Sequence, residues 1–531
     1  MPKTRFSRRP RFNSHTSPDL GGPSPVKVLL VSWLLIGLLG SVWCFASPLM
    51  SVPDEPAHTI KAAAVARGQF LGNTTGTQGE RLTVTVPGYI AALGDGVCFA
   101  ARNAVTADCA PTIDATDRGP KEAATSAGNY NPFYYAVVGL GSRGLSGETA
   151  LYAMRLISTW LSAFFLATVF AAAVSLRRHV LPLLAAAVVL TPAVLFLSAG
   201  INPNSLEIAT AASLFMCLCS VLERSRRLET VRPQVWAVSV AGVFLANTRP
   251  VSLLWLAVTV AAAVLAYRWS ALVRVLRYRA NLLPIGVLAL GCVFALFWLV
   301  TANSFESLLP GEPIPRGVAA VTMLDRTFEY VQEYVGIQGW LDTPPPVAVT
   351  YTWVTAAAVI LLAGATARPV RGRWSVALLA AVLFLAPIAL QAASSETVGW
   401  IWQGRYILAV LVVLLLACGI AARFVPFRWT QRTKSRLIWS LAAGVAAHVY
   451  FLLEGLRRYT VGLDGNRVNW TEMFTPQWQP PMTWQFLTLV YLAGLAVAAW
   501  CLYLLISNGT RPLRVAKVHE QPSREVQQTA P

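Results

Sequence analysis

The stretch VKVLLVSWLLIGLLGSVWCFA occupies residues 26–46, and Lys27 is its one charged residue. A helix needs about 20 mostly apolar residues to cross the hydrocarbon core of a bilayer. Comparable apolar stretches recur at 282–302 and 484–506. Only 13% of the 531 residues are charged, whereas soluble domains carry about 25%. These features exclude an ordinary soluble enzyme and predict an all-α polytopic membrane protein.

Apolar stretches separated by polar segments predict about twelve transmembrane helices, within a range of about 11 to 13. They lie near 26–46, 150–174, 180–199, 204–222, 235–248, 251–267, 282–302, 348–366, 375–392, 404–422, 437–455 and 484–506. The short segments 235–248 and 251–267 can also form a shallow hairpin. A further apolar stretch, 132–141, is too short to span, and we interpret it as an interfacial or re-entrant helix.

The charge distribution predicts the orientation of the chain. There are 43 Lys and Arg residues against 25 Asp and Glu, a net charge of +18. With a cytoplasmic N-terminus, 28 of the 43 basic residues fall on the cytoplasmic side, counting Lys27 at the inner end of the first span, and 14 fall on the outer side, counting Arg405 at the outer end of its span. This is the bias that orients membrane proteins. The excess charge therefore pairs with the anionic inner leaflet and does not indicate a nucleic acid partner. We expect a multi-pass cell-membrane protein with both termini in the cytoplasm.

The predicted membrane domain covers residues 26–506, between a disordered basic tail at 1–25 and a second cytoplasmic tail at 507–531. Its long outer segments are 47–149, 303–347 and 456–483. The first of these contains Cys98 and Cys109. Because an outer compartment is oxidising, a disulfide between them is favoured over a metal site.

No Walker-type phosphate loop, HExxH pair or CxxC pair occurs in the sequence. Nucleotide hydrolysis, zinc proteolysis and dithiol chemistry therefore have no motif to support them. Acidic, amide, aromatic and arginine side chains instead form four clusters, and on the predicted topology all four face the outer side together with Arg249.

The first cluster is PDEPAH at 53–58, where Asp54 and Glu55 begin a predicted interfacial helix. His58 follows Asp54 by four residues, which places both on one helix face. Two interpretations are open. The carboxylates cap the helix and favour its positive end, or one of them is a general base for a hydroxyl nucleophile, oriented by His58.

Two further clusters are Asn129-Tyr130-Asn131-Pro132-Phe133-Tyr134-Tyr135 with Arg155, and Ile201-Asn202-Pro203-Asn204-Ser205. Interfacial tyrosines are typical of an aromatic belt. An arginine inside a span, such as Arg155, needs a partner or a wet cavity. Asn and Pro are ordinary turn residues, so the cluster at 201–205 is explained by a turn alone.

The fourth cluster, Trp402-Gln403-Gly404-Arg405-Tyr406, lies at the outer entrance of a predicted span. A guanidinium at the lipid surface, beside amide and aromatic groups, suits a lipid phosphate held by paired hydrogen bonds. The alternative is that Arg405 and its aromatic neighbours only anchor the helix at the membrane surface.

These segments resemble the uncharacterised family catalogued as domain of unknown function 2142, which is grouped with the type-C (GT-C) glycosyltransferase superfamily. The resemblance spans roughly residues 28–505. It is carried by PDEPAH at 53–58, NPFYY at 131–135, LYAMRLIS at 151–158, SAGINPNSLE at 198–207 and WQGRY at 402–406. It implies a GT-C-like fold and a membrane glycosyltransferase. Such an enzyme moves a sugar from a polyprenyl-phosphate-linked donor to a cell-envelope glycan, lipid or protein on the outer face.

The resemblance also implies roles for individual residues. The catalytic candidates, in order of preference, are Asp54 as general base, Glu55, and His58 as a supporting group. The candidates for binding the donor phosphate are Arg405, Arg155 and Arg249. The supporting candidates are Gln403, Tyr406, Asn131, Tyr134 and Asn204.

The sequence departs from the pattern of its relatives at two positions. Asn131 stands where relatives often have a histidine, and Asn204 stands where they often have an aspartate. A second carboxylate that helps to bind a metal in some members of the superfamily is therefore missing at 204. This disfavours an obligatory divalent metal, and we assign no cofactor and no metal ligand.

Two other classes of function are kept as alternatives. A transporter or flippase of lipid-linked saccharides also needs many spans and interfacial arginines, and it should show charged residues at mid-bilayer depth or broken helices. A polysaccharide polymerase or ligase shares the outer arginines but does not require the PDEPAH loop.

Overall fold

The computed structural model describes residues 24–74, 80–95, 97–306, 308, 311–368, 370–463 and 468–509. The described chain is built of helices with one small sheet, as an all-α membrane protein predicts. Most of the two predicted tails, 1–25 and 507–531, lies outside the described residues, so their cytoplasmic location stays a prediction.

The helices follow one another along the chain with short connections, apart from the long outer segments. The first ten are α1 Pro25–Ala46, α2 Glu55–Ala66, α3 Gly88–Ala91, α4 Pro132–Val138, α5 Gly147–Val174, α6 Val180–Val188, α7 Pro192–Ser198, α8 Pro203–Glu223, α9 Arg232–Ala246 and α10 Ser252–Ala266. The other nine are α11 Trp269–Arg277, α12 Leu282–Thr301, α13 Arg316–Asp325, α14 Tyr330–Val335, α15 Val347–Ala365, α16 Val370–Val398, α17 Leu408–Ala422, α18 Gln431–Thr460 and α19 Trp484–Gly509.

Nine of the described helices are long and apolar enough to cross a membrane, and the number is eleven if each of two bent helix pairs is one span. The bent pairs are α6 with α7, at 62°, and α10 with α11, at 114°. All eleven coincide with predicted spans. The twelfth prediction, 235–248, corresponds to α9, which at 15 residues is shorter than the length that spans a bilayer. The count of twelve therefore stays a prediction.

α9 and α10 have 15 residues each, or about 22 Å at the helical rise of 1.5 Å per residue. This is the length expected of a shallow hairpin. Because both helices are short, their polar connection lies inside the protein, and Asn247 and Thr248 are buried there. The same connection carries Arg249, so the hairpin brings an arginine into the interior.

α8 and α17 lie at the centre of the bundle. The apolar window of α8 is entirely buried, and that of α17 is almost so, as expected of helices that are hydrophobic all round. α5 packs against α1 and α8, and α17 packs against α8 and α16. Both central helices begin near the outer cluster residues, so their first turns position the candidate site.

The first outer loop contains a sheet that the sequence analysis did not predict. β1 Leu82–Pro87 pairs antiparallel with β2 Pro120–Thr125, with Leu82 opposite Thr125. β1 alternates apolar and polar residues, but six residues give a weak signal beside apolar spans of about 20. In the same loop Cys98 and Cys109 form a disulfide with a Cα to Cα distance of 6.1 Å, which is the predicted pairing.

Candidate functional site

Asp54 precedes the first turn of α2 in a left-handed backbone conformation, with φ 63°. Its side chain makes no capping hydrogen bond to the helix. It pairs instead with Arg405, whose Nη2 lies 2.5 Å from Asp54 Oδ2. The helix-capping interpretation therefore does not account for Asp54. Its side chain is 40% exposed, whereas that of Arg405 is 4% exposed, so the carboxylate is the accessible member of the pair.

A 3-10 turn at Gly404–Ile407 presents Arg405 to the start of α2. The amide of Gly404 donates to Glu333 Oε2 at 2.6 Å. A Cβ at position 404 would lie 2.8 Å from the Cβ of Glu333, so this approach requires glycine. Arg405 Nη1 also donates to the carbonyl of Pro53 at 3.3 Å. The guanidinium is thus fixed against both the backbone and the carboxylate of the PDEPAH segment.

A second guanidinium, that of Arg249, lies beside the first. Its Nη1 donates to Asn204 Oδ1. The Cζ atom of Arg249 is 4.5 Å from the centre of the Tyr406 ring, and that of Arg405 is 5.4 Å from the same ring. Both distances are typical of cation–π contacts. The Tyr406 ring therefore contacts two cations near one exposed carboxylate.

Glu207 is a site residue that the sequence analysis missed. It lies one turn into α8, and its side chain is 2% exposed. Oε1 accepts a hydrogen bond from Ser252 at 2.5 Å, and Oε2 lies 3.9 Å from Arg249 Nη1. An acidic residue within an apolar span is itself a signal of function. That signal was present in the segment SAGINPNSLE but was not used.

Glu55 and Arg155 form a separate, closed ion pair. Arg155 Nε and Nη2 donate to the two oxygens of Glu55 at 2.7 and 2.6 Å. Its remaining donors bind the carbonyls of Cys44, Ser47 and Pro48. These five bonds use all five N–H groups of a guanidinium. The structure therefore does not support the prediction that Arg155 binds a donor phosphate, because none of its donors is left.

The Glu55 carboxylate is equally saturated. Besides the two bonds from Arg155, it accepts from the amides of Ile201 at 3.1 Å and Val52 at 3.3 Å. Four bonds fill the acceptor sites of a carboxylate. Both side chains of the ion pair are fully buried. Glu55 thus joins α2 to α5 and to the α7–α8 connection, and it is a poor candidate for a general base.

His58 lies on the α2 turn above Asp54, as predicted, and its Nδ1 is 2.8 Å from the hydroxyl of Tyr135. Burial lowers the pKa of His58 to about 3, and Arg249 and Arg405 add to this effect against the opposing effect of Asp54. His58 is therefore a neutral hydrogen-bonding group at pH 7.

The electrostatics of Asp54 are set by two opposed effects. Burial favours the neutral carboxyl and raises its pKa, but Arg405, with His58 and Arg249, outweighs burial. The pKa of Asp54 consequently lies below the ordinary value, and the carboxylate is ionised at neutral pH.

The tyrosines of the second cluster are interior residues. Tyr134 and Tyr135 are fully buried, and the hydroxyl of Tyr134 hydrogen-bonds to that of Ser158 at 2.9 Å. The aromatic-belt interpretation is therefore wrong for these two residues, because belt residues face the membrane interface. Their hydroxyl groups serve to fix α4 against α2 and α5.

The remaining supporting candidates are divided between structural and site roles. Asn131 caps α4 and donates to Asn247 at 2.9 Å, so it anchors the α9–α10 connection that carries Arg249. Asn204 accepts directly from Arg249. Gln403 Oε1 is buried, with no hydrogen-bond partner among the described residues, and its supporting role stays a prediction.

The described residues fit a divalent metal poorly. No three His, Cys, Asp or Glu side chains come together in the part of the chain that the structure describes. Hard cations prefer several oxygen ligands, whereas the Asp54 carboxylate is paired with one guanidinium and lies near a second. We therefore route no chemical step through a metal.

All of the site residues described above lie in the region matched by a family model. The model describes predicted membrane proteins catalogued as domain of unknown function 2142, and it matches residues 36–414. The chain belongs to this family. The motifs at 53–58, 131–135, 151–158, 198–207 and 402–406, which suggested this family, all fall within the match. No curated protein matches the chain in sequence.

Two solved structures of ArnT from Cupriavidus metallidurans are similar to the chain. The structure bound to undecaprenyl phosphate has a TM-score of 0.42 and 14% identity, and the match covers 92% of this chain and 76% of ArnT. The apo structure has a TM-score of 0.41 and 15% identity, with 92% and 78% covered. Both TM-scores are below 0.5, so the similarity assigns neither a fold family nor an activity to this chain.

Proposed function

We propose that this DUF2142 member is a membrane glycosyltransferase that takes a sugar from a polyprenyl-phosphate-linked donor and transfers it to a hydroxyl group of a cell-envelope acceptor. The observation that carries the proposal is the ion pair of an exposed carboxylate, Asp54, with a buried guanidinium, Arg405, where the membrane bundle meets its first long outer loop. A base and an anion-binding group are the two functions that such a transfer requires.

In the proposed reaction the acceptor hydroxyl attacks the anomeric carbon of the donor sugar. Its oxygen forms the new glycosidic bond, and its proton passes to the Asp54 carboxylate. The bond from the anomeric carbon to the phosphate oxygen breaks, and the electron pair leaves with the polyprenyl phosphate. Because the phosphate gains negative charge in this step, Arg405 and Arg249 stabilise the transition state more than the ground state.

Asp54 is preferred to Glu55 as the base on physical grounds. A base must reach the proton that it removes. Of the two carboxylates, Asp54 is partly exposed and Glu55 is fully buried. The Glu55 oxygens are filled by Arg155 and by two backbone amides. His58 and Tyr135 then support the Asp54 loop by hydrogen bonding, and neutral His58 adds no further charge to it.

The expected setting is the outer face of the cell membrane. The positive-inside bias of the loops predicts that the Asp54 segment lies on that side, where a lipid-linked donor presents its phosphate at headgroup depth and its sugar in water. The proposed acceptor is a glycan, lipid or protein of the cell envelope that offers a hydroxyl group.

The test is sugar transfer by the purified full chain, given a set of polyprenyl-phosphate sugars and an envelope extract as the acceptor. Loss of a general base lowers rates by about 10²- to 10⁴-fold, and we expect Asp54→Asn to do so. Asp117→Asn is the matched control, since Asp117 is a half-buried carboxylate of the same loop in an ion pair with Lys121 at 2.7 Å. Wild-type activity in Asp54→Asn, or no transfer by wild type from any such donor, would contradict the proposal.

A transporter of lipid-linked saccharides is a second candidate, because two bent helix pairs are present and broken helices are typical of transporters. The first bend, however, is explained by Pro192, which lacks the amide hydrogen needed to continue the helix. A transporter would move the lipid-linked sugar across vesicles without consuming it, and it would do so without needing Asp54 as a base.

A further inference from the structure

The Asp54 carboxylate and a donor phosphate would compete for the same guanidinium. Arg405 Nη2 is bonded to Asp54 Oδ2 at 2.5 Å, and Nη1 is bonded to the Pro53 carbonyl. Nε is buried, and among the described residues it has no hydrogen-bond partner. A phosphate that binds Arg405 in the usual two-pronged manner needs two adjacent N–H groups. Nη2 belongs to both of the adjacent pairs that a guanidinium offers, Nε with Nη2 and Nη1 with Nη2, and Asp54 already holds one of its two N–H groups.

The backbone around Asp54 is held in place without the help of its side chain. The Pro53 carbonyl accepts from Arg405 Nη1 and also from Asn202 Nδ2 at 2.9 Å. The left-handed conformation at Asp54 is uncommon for a residue other than glycine, and such conformations persist only where the surroundings impose them. The carboxylate can therefore leave Arg405 by side-chain rotation alone, while the loop and α2 stay where they are.

The neighbouring guanidinium does not share this competition. Arg249 is directed to Asn204 and to the buried Glu207, and its Cζ atom also lies over the Tyr406 ring. Its partners lie within the bundle, and it stays in place when an anion enters. A phosphate entering the site thus meets Arg249, whose partners lie within the bundle, and Arg405, which is held by the carboxylate on which the reaction depends.

We infer that in the donor-free protein Asp54 occupies the position on Arg405 that the donor phosphate takes, so that donor binding releases Asp54 to act as the base. This inference rests on the proposed function. While paired, the carboxylate is a weak base, because the guanidinium stabilises its ionised form. Displacement by the phosphate restores its basicity at the moment when the sugar is in place. The ion pair is therefore a lock that the substrate opens.

If the Asp54–Arg405 pair is such a lock, one substitution should have opposite effects on sugar transfer and on phosphate binding. Asp54→Asn removes the base, so it abolishes transfer, yet it also removes the group that competes with phosphate. We expect Asp54→Asn to bind undecaprenyl phosphate about fivefold more tightly than wild type, which is the upper range of an exposed ion pair. The measurement is titration of the full chain in detergent with undecaprenyl phosphate alone, followed by tryptophan fluorescence or native mass spectrometry.

A double substitution separates the lock from simple charge repulsion. If Asp54 only repels the phosphate, its removal strengthens binding whether Arg405 is present or not. If Asp54 competes for Arg405, the gain disappears in Asp54→Asn combined with Arg405→Gln. Asp117→Asn is again the matched control and should bind undecaprenyl phosphate as wild type does.

A second measurement needs no variant. Carbodiimide labelling of Asp54 in wild-type protein, read by mass spectrometry of the peptide, should increase when undecaprenyl phosphate is added, while labelling of Asp117 should not change. Equal affinity in Asp54→Asn and wild type, with unchanged labelling and with weaker binding by Arg405→Gln, would overturn the lock and leave the proposed function standing. Absence of binding by wild type and by every variant would overturn both.

Discussion

Two adjacent carboxylates, Asp54 and Glu55, form two ion pairs with opposite properties. Glu55 is fully buried, its partner Arg155 uses every donor, and the pair joins three parts of the bundle. Asp54 is 40% exposed, and its partner Arg405 keeps a buried Nε without a described partner. A closed pair stabilises the fold, whereas an open pair can exchange its partner. The two pairs consist of the same kinds of residue. They differ in how many of their hydrogen-bonding groups are already used, and this difference separates the structural pair from the pair that is available for catalysis.

The largest expected effect is on the closed pair. Glu55→Gln leaves the Arg155 guanidinium buried without a counter-charge, and removing one partner of a buried pair costs about 3–5 kcal/mol of folding free energy. The measurement is thermal or denaturant unfolding in detergent. Asp54→Asn is the internal comparison and should cost less, because the Asp54 side chain is 40% exposed and water can reach the position beside Arg405. Equal destabilisation by the two variants would remove the distinction between the closed and open pairs.

Double-mutant cycles on the unfolding free energy test the same difference between the closed and the open ion pair. The expected coupling energies are smaller than the cost of Glu55→Gln. Residues joined by direct hydrogen bonds in one network couple by about 0.5–3 kcal/mol. We expect Glu55→Gln with Arg155→Gln to lie at the upper end of this range. Asp54→Asn with Arg405→Gln should couple by less than about 1 kcal/mol. A coupling for the outer pair as large as that of the inner pair would show that Asp54 is also structural.

A separate expected effect is the pH dependence that His58 gives to the fold. Its pKa is about 3 in the folded protein and 6.5 in an unfolded chain. Between these values the unfolded state binds a proton that the folded state does not, so stability falls as the pH is lowered from about 6.5 toward 3. The loss should be smaller in His58→Gln, which does not titrate. Melting temperatures of both proteins at pH 7 and pH 4 give the comparison, and parallel losses would contradict it.

The sequence analysis was successful where a single property of the chain decides the structure. Apolar length located eleven of the twelve predicted spans, and the oxidising outer compartment predicted the Cys98–Cys109 disulfide that the structure contains. Motif order predicted the family, which the family model confirms. The two-stranded sheet was missed because its strands have only six residues each.

The sequence analysis was less successful for roles that depend on partners. It placed Arg155 with the phosphate-binding arginines, because an arginine in a span needs a partner and the sequence does not say which one. It left open an aromatic-belt interpretation for Tyr134 and Tyr135, since their burial depends on α2 and α5. It passed over Glu207, although an acidic residue in a span was visible. In each case the residue was visible in the sequence, but the residues that it contacts in the folded chain were not.

By itself the sequence determined that this chain is a helical membrane protein and which residues are available for chemistry on its outer side. Both follow from local quantities, namely the length of apolar segments and the distribution of charge. The tertiary structure alone decided that Glu55 meets Arg155 while Asp54 meets Arg405, 351 residues away along the chain. The side chains of Asp54 and Glu55 leave the backbone in different directions. The packing of α2 against distant helices decides which arginine each side chain contacts.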